Sequence, residues 1–223
     1  MNGWAASPHA WDLCSFARGA RLFSYVEQLD GAAARAFADA AEPVALVGWS
    51  MGGSTALALA ASAPEKVAGL VLVAATPRMM EDRESGWKGM SPRRLDALLR
   101  GLELTHGEGF FGPPEGKPNP YMMDDRENLD RGLAYLRETD LRGKLLSAFG
   151  NGAAARFPVT IFQSEHDGIV RASNADFLKF VFPDATVDVV PGTEHALPVA
   201  IPELIDAAVA NILKLPLARA KGF

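Results

Sequence analysis

The stretch Gly48-Trp49-Ser50-Met51-Gly52, with Gly53 behind it, limits this chain's possible folds more than any other segment. The apolar run Val44-Ala45-Leu46-Val47 precedes it, and an alanine- and leucine-rich run, Thr55 to Ala61, follows. That pattern reads as strand, sharp turn, helix. A turn so tight crowds the strand against the new helix, and positions 48 and 52 need residues without a Cβ. Such a turn lifts a serine hydroxyl above the sheet edge, beside a helix N-terminus. Serine is also a favoured helix cap. The turn alone therefore leaves two roles open for Ser50, nucleophile or cap.

Apolar strands alternating with helices run through both ends of the chain. Strands are expected at Arg21 to Val26, Val44 to Gly48, Gly69 to Ala75, Pro158 to Gln163 and Thr186 to Val190. Helices are expected at Ala32 to Ala41, Met51 to Ala63, Ala172 to Phe180 and Pro202 to Leu213. This alternation predicts an α/β fold with a mostly parallel sheet covered on both faces. Residues 78–155 differ: they hold much of the charge and the loop-like run Gly107 to Pro120. Two amphipathic helices are expected there. One is capped by Ser91, starts at Pro92 and carries Leu95, Leu98, Leu99 and Leu102; the other, near Asp124 to Arg137, carries Leu129, Leu133 and Leu136. The expectation is a core of residues 1–77 and 156–223, with a helical lid, 78–155, inserted in it.

A serine hydroxyl needs a base within hydrogen-bond reach and a group that orients the base. There are four histidines. His195 lies in GTEHALP, just past the last strand, at the sheet edge where open α/β folds build their sites. His9 and His106 read as surface residues. Asp167, in SEHDGIV, follows the preceding strand and is the expected acid, with Glu165 as the alternative. An Asx-turn is the competing role for Asp167. The order Ser50, Asp167, His195 is that of a serine-hydrolase triad on an α/β scaffold. Acyl transfer also needs oxyanion donors: the backbone N–H of Met51 is one candidate, and that of Trp4 the second. A frayed terminus is the competing reading of the Trp4 segment.

With 223 residues, 48% hydrophobic and 22% charged, the chain suits one large globule. A net charge of −5 gives no basic field and argues against a nucleic-acid partner. One cysteine, Cys14, permits no intrachain disulfide and suits a reducing compartment. No apolar run is long enough for a membrane span, and no secretory leader is evident. A cytoplasmic monomer is expected.

These residues together resemble an α/β-hydrolase, and more narrowly the pimeloyl-acyl-carrier-protein methyl ester esterases of biotin synthesis. The matching stretches are NGWAASPHAW, GWSMGG, GWKGMSPRRLDALLRGL, ETDLR, SEHDGIV and TEHALP. The resemblance implies a Ser50-Asp167-His195 triad and an oxyanion hole from the N–H groups of Trp4 and Met51. It implies hydrolysis of a methyl ester on a pimeloyl chain borne by acyl carrier protein, with no metal and no organic cofactor. Basic lid residues grip the carrier in that family; Arg93, Arg94 and Arg100, with Lys88 nearby, are the local counterparts. Asn2 stands where the family usually has histidine, and the D-x-P-G-x-G-x-S loop common in the superfamily is missing. The family also places a central strand just before the Gly-Trp loop. Its absence would leave two rows of backbone groups without partners, each costing about 1–3 kcal/mol. Either the strands at 21–26 and 44–48 pair directly, or the native start lies upstream of Met1; the upstream start is the favoured expectation.

Overall fold

A computed structural model describes residues 1–107, 116–150 and 155–214. Part of the loop expected at Gly107 to Pro120 lies outside the described residues. Among the described residues, four strands form one parallel sheet in the order β1-β2-β3-β4: β1 is Val44–Trp49, β2 Val67–Val73, β3 Val159–Ser164 and β4 Thr186–Val190. The first helices are α1 (Tyr25–Leu29), α2 (Ala32–Asp39) and α3 (Met51–Ser62). Between β2 and β3 lie α4 (Pro92–Thr105), α5 (Arg126–Glu138) and α6 (Arg142–Phe149). The chain then adds α7 (Ser173–Val181), α8 (Leu197–Ala200) and α9 (Pro202–Lys214).

The two sheet faces can be read from β2. Its side chains alternate, as a strand's must. Val71 and Val73 join one apolar cluster with Leu95 of α4, Leu129 of α5 and Ile205 of α9. Leu70 and Leu72 join the other with Leu57 of α3, Leu145 of α6 and Leu178 of α7. Both faces are therefore covered, which is why β2 reads as an uninterrupted apolar run. β4 is an edge strand, and Val189 on it is exposed.

One expected strand is absent. Residues 21–24 have no regular structure, and Ser24 caps α1 instead. The Ser24 hydroxyl accepts the Glu27 N–H at 3.2 Å, while the Glu27 carboxylate accepts the Ser24 N–H at 2.8 Å. This reciprocal capping box, S-x-x-E, outweighs the β-branched and aromatic character of the run. The segment therefore does not pair with β1. Met1 lies beside β1 instead: its nitrogen donates to Val47 O at 2.9 Å, and its carbonyl accepts from Trp49 N at 3.1 Å. A groove of about 540 Å³ runs along the same edge, walled by Phe23, Phe37, Val44, Leu46 and Val209. Ser50, Asp167 and His195 do not line it.

Candidate active site

Ser50 joins β1 to α3 with φ 53° and ψ −119°, a backbone state that an L-residue rarely adopts. The glycines on either side permit it. A Cβ at Gly48 would lie 2.3 Å from the Gly52 carbonyl oxygen, and one at Gly52 would lie 2.3 Å from the Met1 carbonyl oxygen. The Ser50 side chain makes no capping bond to α3, which removes the cap as its role. Its Oγ lies 2.9 Å from His195 Nε2.

His195 sits between β4 and α8, and its Nδ1 lies 2.7 Å from Asp167 Oδ2. The tautomer that satisfies both contacts carries the proton on Nδ1. Nδ1–H then donates to Asp167, and Nε2 accepts from the Ser50 hydroxyl. All three residues are buried, so water competes little for these bonds.

Asp167 combines the geometries of both roles considered for it. Its Oδ1 accepts the N–H groups of Ile169 and Val170 at 2.7 and 3.0 Å, which closes an Asx-type turn, while Oδ2 faces the imidazole. The carboxylate that meets the His195 ring is that of Asp167, not Glu165. The Glu165 carboxylate is exposed and sits 3.9 Å from the exposed His166 ring. His9 pairs with Asp12 at the surface, and His106 ends α4 in a left-handed conformation.

Residues 1–7 are buried, so a frayed segment is excluded for Trp4. A Cβ at Gly3 would lie 3.1 Å from the Ser50 Cβ, which sets the Gly3-Trp4 turn directly against the elbow. The Trp4 indole N–H donates to Leu129 O of α5 at 3.0 Å, anchoring the turn. Met51 opens α3, and its N–H, as the first of a helix, has no intrahelical acceptor.

The three arginines of α4 separate. Arg94 donates to the Gly168 carbonyl at 2.7 Å, beside Asp167. Arg93 and Arg100 are exposed and have no ion-pair partner among the described residues. The acids of the same helix pair elsewhere: Glu103 with Arg126 at 2.7 Å, and Asp96 with Arg137.

Three further side chains hold the site together, and sequence reasoning missed them. Buried Gln163, at the end of β3, donates to Val170 O at 2.9 Å and reaches Asp167 Oδ2 at 3.4 Å. The Ser164 hydroxyl donates to Glu194 O, next to His195. The Trp49 indole N–H donates to His195 O at 2.8 Å. Buried polar residues at strand ends were the available signal, since each needs a partner. Among the described residues, no cluster of three or more His, Cys, Asp or Glu could hold a metal ion.

The family described as alpha/beta hydrolase fold matches residues 21–199. Among curated proteins, the pimeloyl-[acyl-carrier protein] methyl ester esterase of Aliivibrio fischeri is 27% identical, over 84% of this chain and 76% of that protein. The protein of the same name from Nitrosomonas europaea is 27% identical, over 91% of this chain and 90% of its own length. Among solved structures, an esterase from Exiguobacterium antarcticum superposes with a TM-score of 0.71 at 17% identity, over 95% of this chain and 90% of its own. No helix among the described residues is long and apolar enough to cross a membrane. With a matched span of well over half its length, the chain belongs to the alpha/beta hydrolase fold family, and its relatives are named esterases and hydrolases.

Proposed function

We propose that this protein is a cytoplasmic serine carboxylesterase that hydrolyses an acyl methyl ester, with the methyl ester of a pimeloyl group on acyl carrier protein as substrate. The observation that carries the reading is the unbroken chain from Ser50 Oγ through the His195 imidazole to Asp167, with contacts of 2.9 and 2.7 Å. His195 Nε2 takes the proton as Ser50 Oγ attacks the ester carbonyl. The oxyanion is met by the N–H groups of Trp4 and Met51, both beside the elbow. His195 then gives its proton to the leaving methoxide, and methanol departs. Water, deprotonated by the same nitrogen, attacks the acyl-Ser50 ester; collapse frees the carboxylic acid and restores Ser50. Asp167 keeps the imidazole in the productive tautomer and stabilises its protonated form.

The specific substrate rests on the named relatives and on α4. Its acids are engaged with arginines of α5, so Arg93 and Arg100 present unneutralised charge. Such a surface suits an acidic carrier protein. Arg94 belongs to that surface less well, since its guanidinium is held by Gly168. Residues 78–155 then act as the lid that the carrier approaches.

Two assays test this reading. The wild type should hydrolyse p-nitrophenyl acetate, and Ser50→Ala should lose several orders of magnitude in kcat/KM. Equal rates in the two proteins would reject the esterase. The gene should also restore biotin-independent growth to a strain lacking its own pimeloyl-carrier esterase. Acetate-ester hydrolysis without that rescue would assign the protein another small ester.

A further inference from the structure

Ser50 and His195 come from opposite edges of the sheet: Ser50 follows β1, and His195 follows β4. The loop after β4 therefore has to cross the ends of β3 and β2 to bring the imidazole to the hydroxyl. Two side chains outside the loop hold its main chain near His195. Ser164, at the end of β3, bonds Glu194 O, and Trp49, at the end of β1, bonds His195 O at 2.8 Å. Among the described residues, the Trp49 bond is the tie from this main chain to the nucleophile's own strand.

We propose that Trp49 is a positioning residue: its indole N–H pins the main-chain carbonyl of His195 to the nucleophile strand, holding the imidazole in place while the Ser50–His195 hydrogen bond is broken. This rests on the esterase reading. In the acyl-enzyme Ser50 Oγ carries the acyl group and has no proton to share. His195 Nε2 must then serve water without the partner that had fixed it. The Trp49 bond does not involve Oγ, so acylation leaves it intact. The indole is itself immobilised. It is fully buried, its ring centroid lies 5.5 Å from that of Tyr121 and 5.9 Å from that of His195, and a Cβ at Gly3 would rest 3.5 Å from its ring. His195 O also accepts from Leu197 N at 2.9 Å. Removing the indole donor therefore does not orphan the carbonyl; it frees the loop to drift from β1. A shift of about 1 Å in a reacting group can cost up to a hundredfold in rate.

The test is deacylation of the acetyl-enzyme, followed by intact mass after a pulse of p-nitrophenyl acetate. Trp49→Phe should deacylate about tenfold more slowly than the wild type. Trp11→Phe is the control for lost bulk: Trp11 is equally buried, and its indole nitrogen has no hydrogen-bond partner among the described residues. Its deacylation should stay within about twofold of the wild type. A wild-type rate in Trp49→Phe, or an equal loss in Trp11→Phe, overturns the proposal. A wild type that neither accumulates acetyl-enzyme nor turns over p-nitrophenyl acetate faster than Ser50→Ala overturns the esterase reading itself, and is distinguished by failing before any Trp49 variant is made. Should Trp49→Phe not fold, hydrogen exchange at the wild-type Trp49 indole decides. Protection should persist after the Ser50 hydroxyl displaces fluoride from diisopropyl fluorophosphate and carries the diisopropylphosphoryl group, and its loss on modification overturns the proposal.

Discussion

Ser50 keeps its unusual backbone because its neighbours leave it no alternative, and such a conformation costs about 1–3 kcal/mol. Gly48 is the residue that makes it possible, since a Cβ there would meet main-chain atoms, which cannot rotate away. Gly48→Ala should therefore lower unfolding free energy by about 1–3 kcal/mol in urea titrations and reduce ester hydrolysis, because the elbow must open to admit the methyl group. An alanine variant of native stability would contradict the packing described for the turn. This crowding is legible in the sequence, because a strand-turn-helix with glycine at 48 and 52 implies it before any coordinates. Asp167 and His195 are legible for a similar reason, as loop residues just past strand ends. Trp49, Gln163 and Ser164 are not. Trp49 meets a carbonyl 146 positions away and Ser164 one 30 positions away, and no local spacing encodes such partners. Gln163 binds within its own turn, but only the turn's closed shape shows that it does.

At the scale of elements, the long periodic segments were readable and the short ones were not. The leucine spacing of α4 and α5 marked both helices, and Ser91 caps α4 as its sequence implies. α6 escaped because only Leu145 and Phe149 of its eight residues are buried, too few for a periodic signal. The strand expected at 21–26 yields to a cap whose four-residue signature, Ser24 to Glu27, is present in the sequence. The segment between β2 and β3 is closed at its base by charge. Arg142 donates to Asp140 and Asp82 at 2.8 and 2.7 Å, Arg78 also pairs with Asp140, and the Arg142 guanidinium lies 5.3 Å from the Trp87 ring. The Arg142 hydrogen bond holds the Asp140 carboxyl down to about 2. A carboxyl depressed in the folded state stabilises above its unfolded value, near 4, and that contribution fades as pH falls from about 4 towards about 2. Arg142→Met should lower stability at pH 7 by about 1 kcal/mol, allowing for solvent screening. It should also flatten the decline of melting temperature between pH 4 and pH 2. Parallel curves for variant and wild type would show that the pair contributes nothing.

At the scale of the molecule, the contact of Ser50, His195 and Asp167 exists only because a parallel sheet brings the C-terminal ends of β1, β3 and β4 to the same end of the sheet. Residues 50, 167 and 195 have no contact that the local chain could enforce. The alternation of apolar strands and helices carries that information, and it was visible in composition and period. The burial of residues 1–7 against the elbow is one of two readings of that segment, and no local pattern can choose it over a frayed end, because it depends on α5 receiving the Trp4 indole. On the proposed reading, the same dependence makes the reactivity of Ser50 a property of the folded chain rather than of the serine. The most direct measurement is covalent labelling with a fluorophosphonate, mapped by peptide mass spectrometry. Native protein should carry one adduct, on Ser50, while Ser50→Ala and wild type unfolded in concentrated urea should carry none. An adduct on another residue, or labelling of Ser50 that survives unfolding, would contradict a hydroxyl activated by His195 and Asp167.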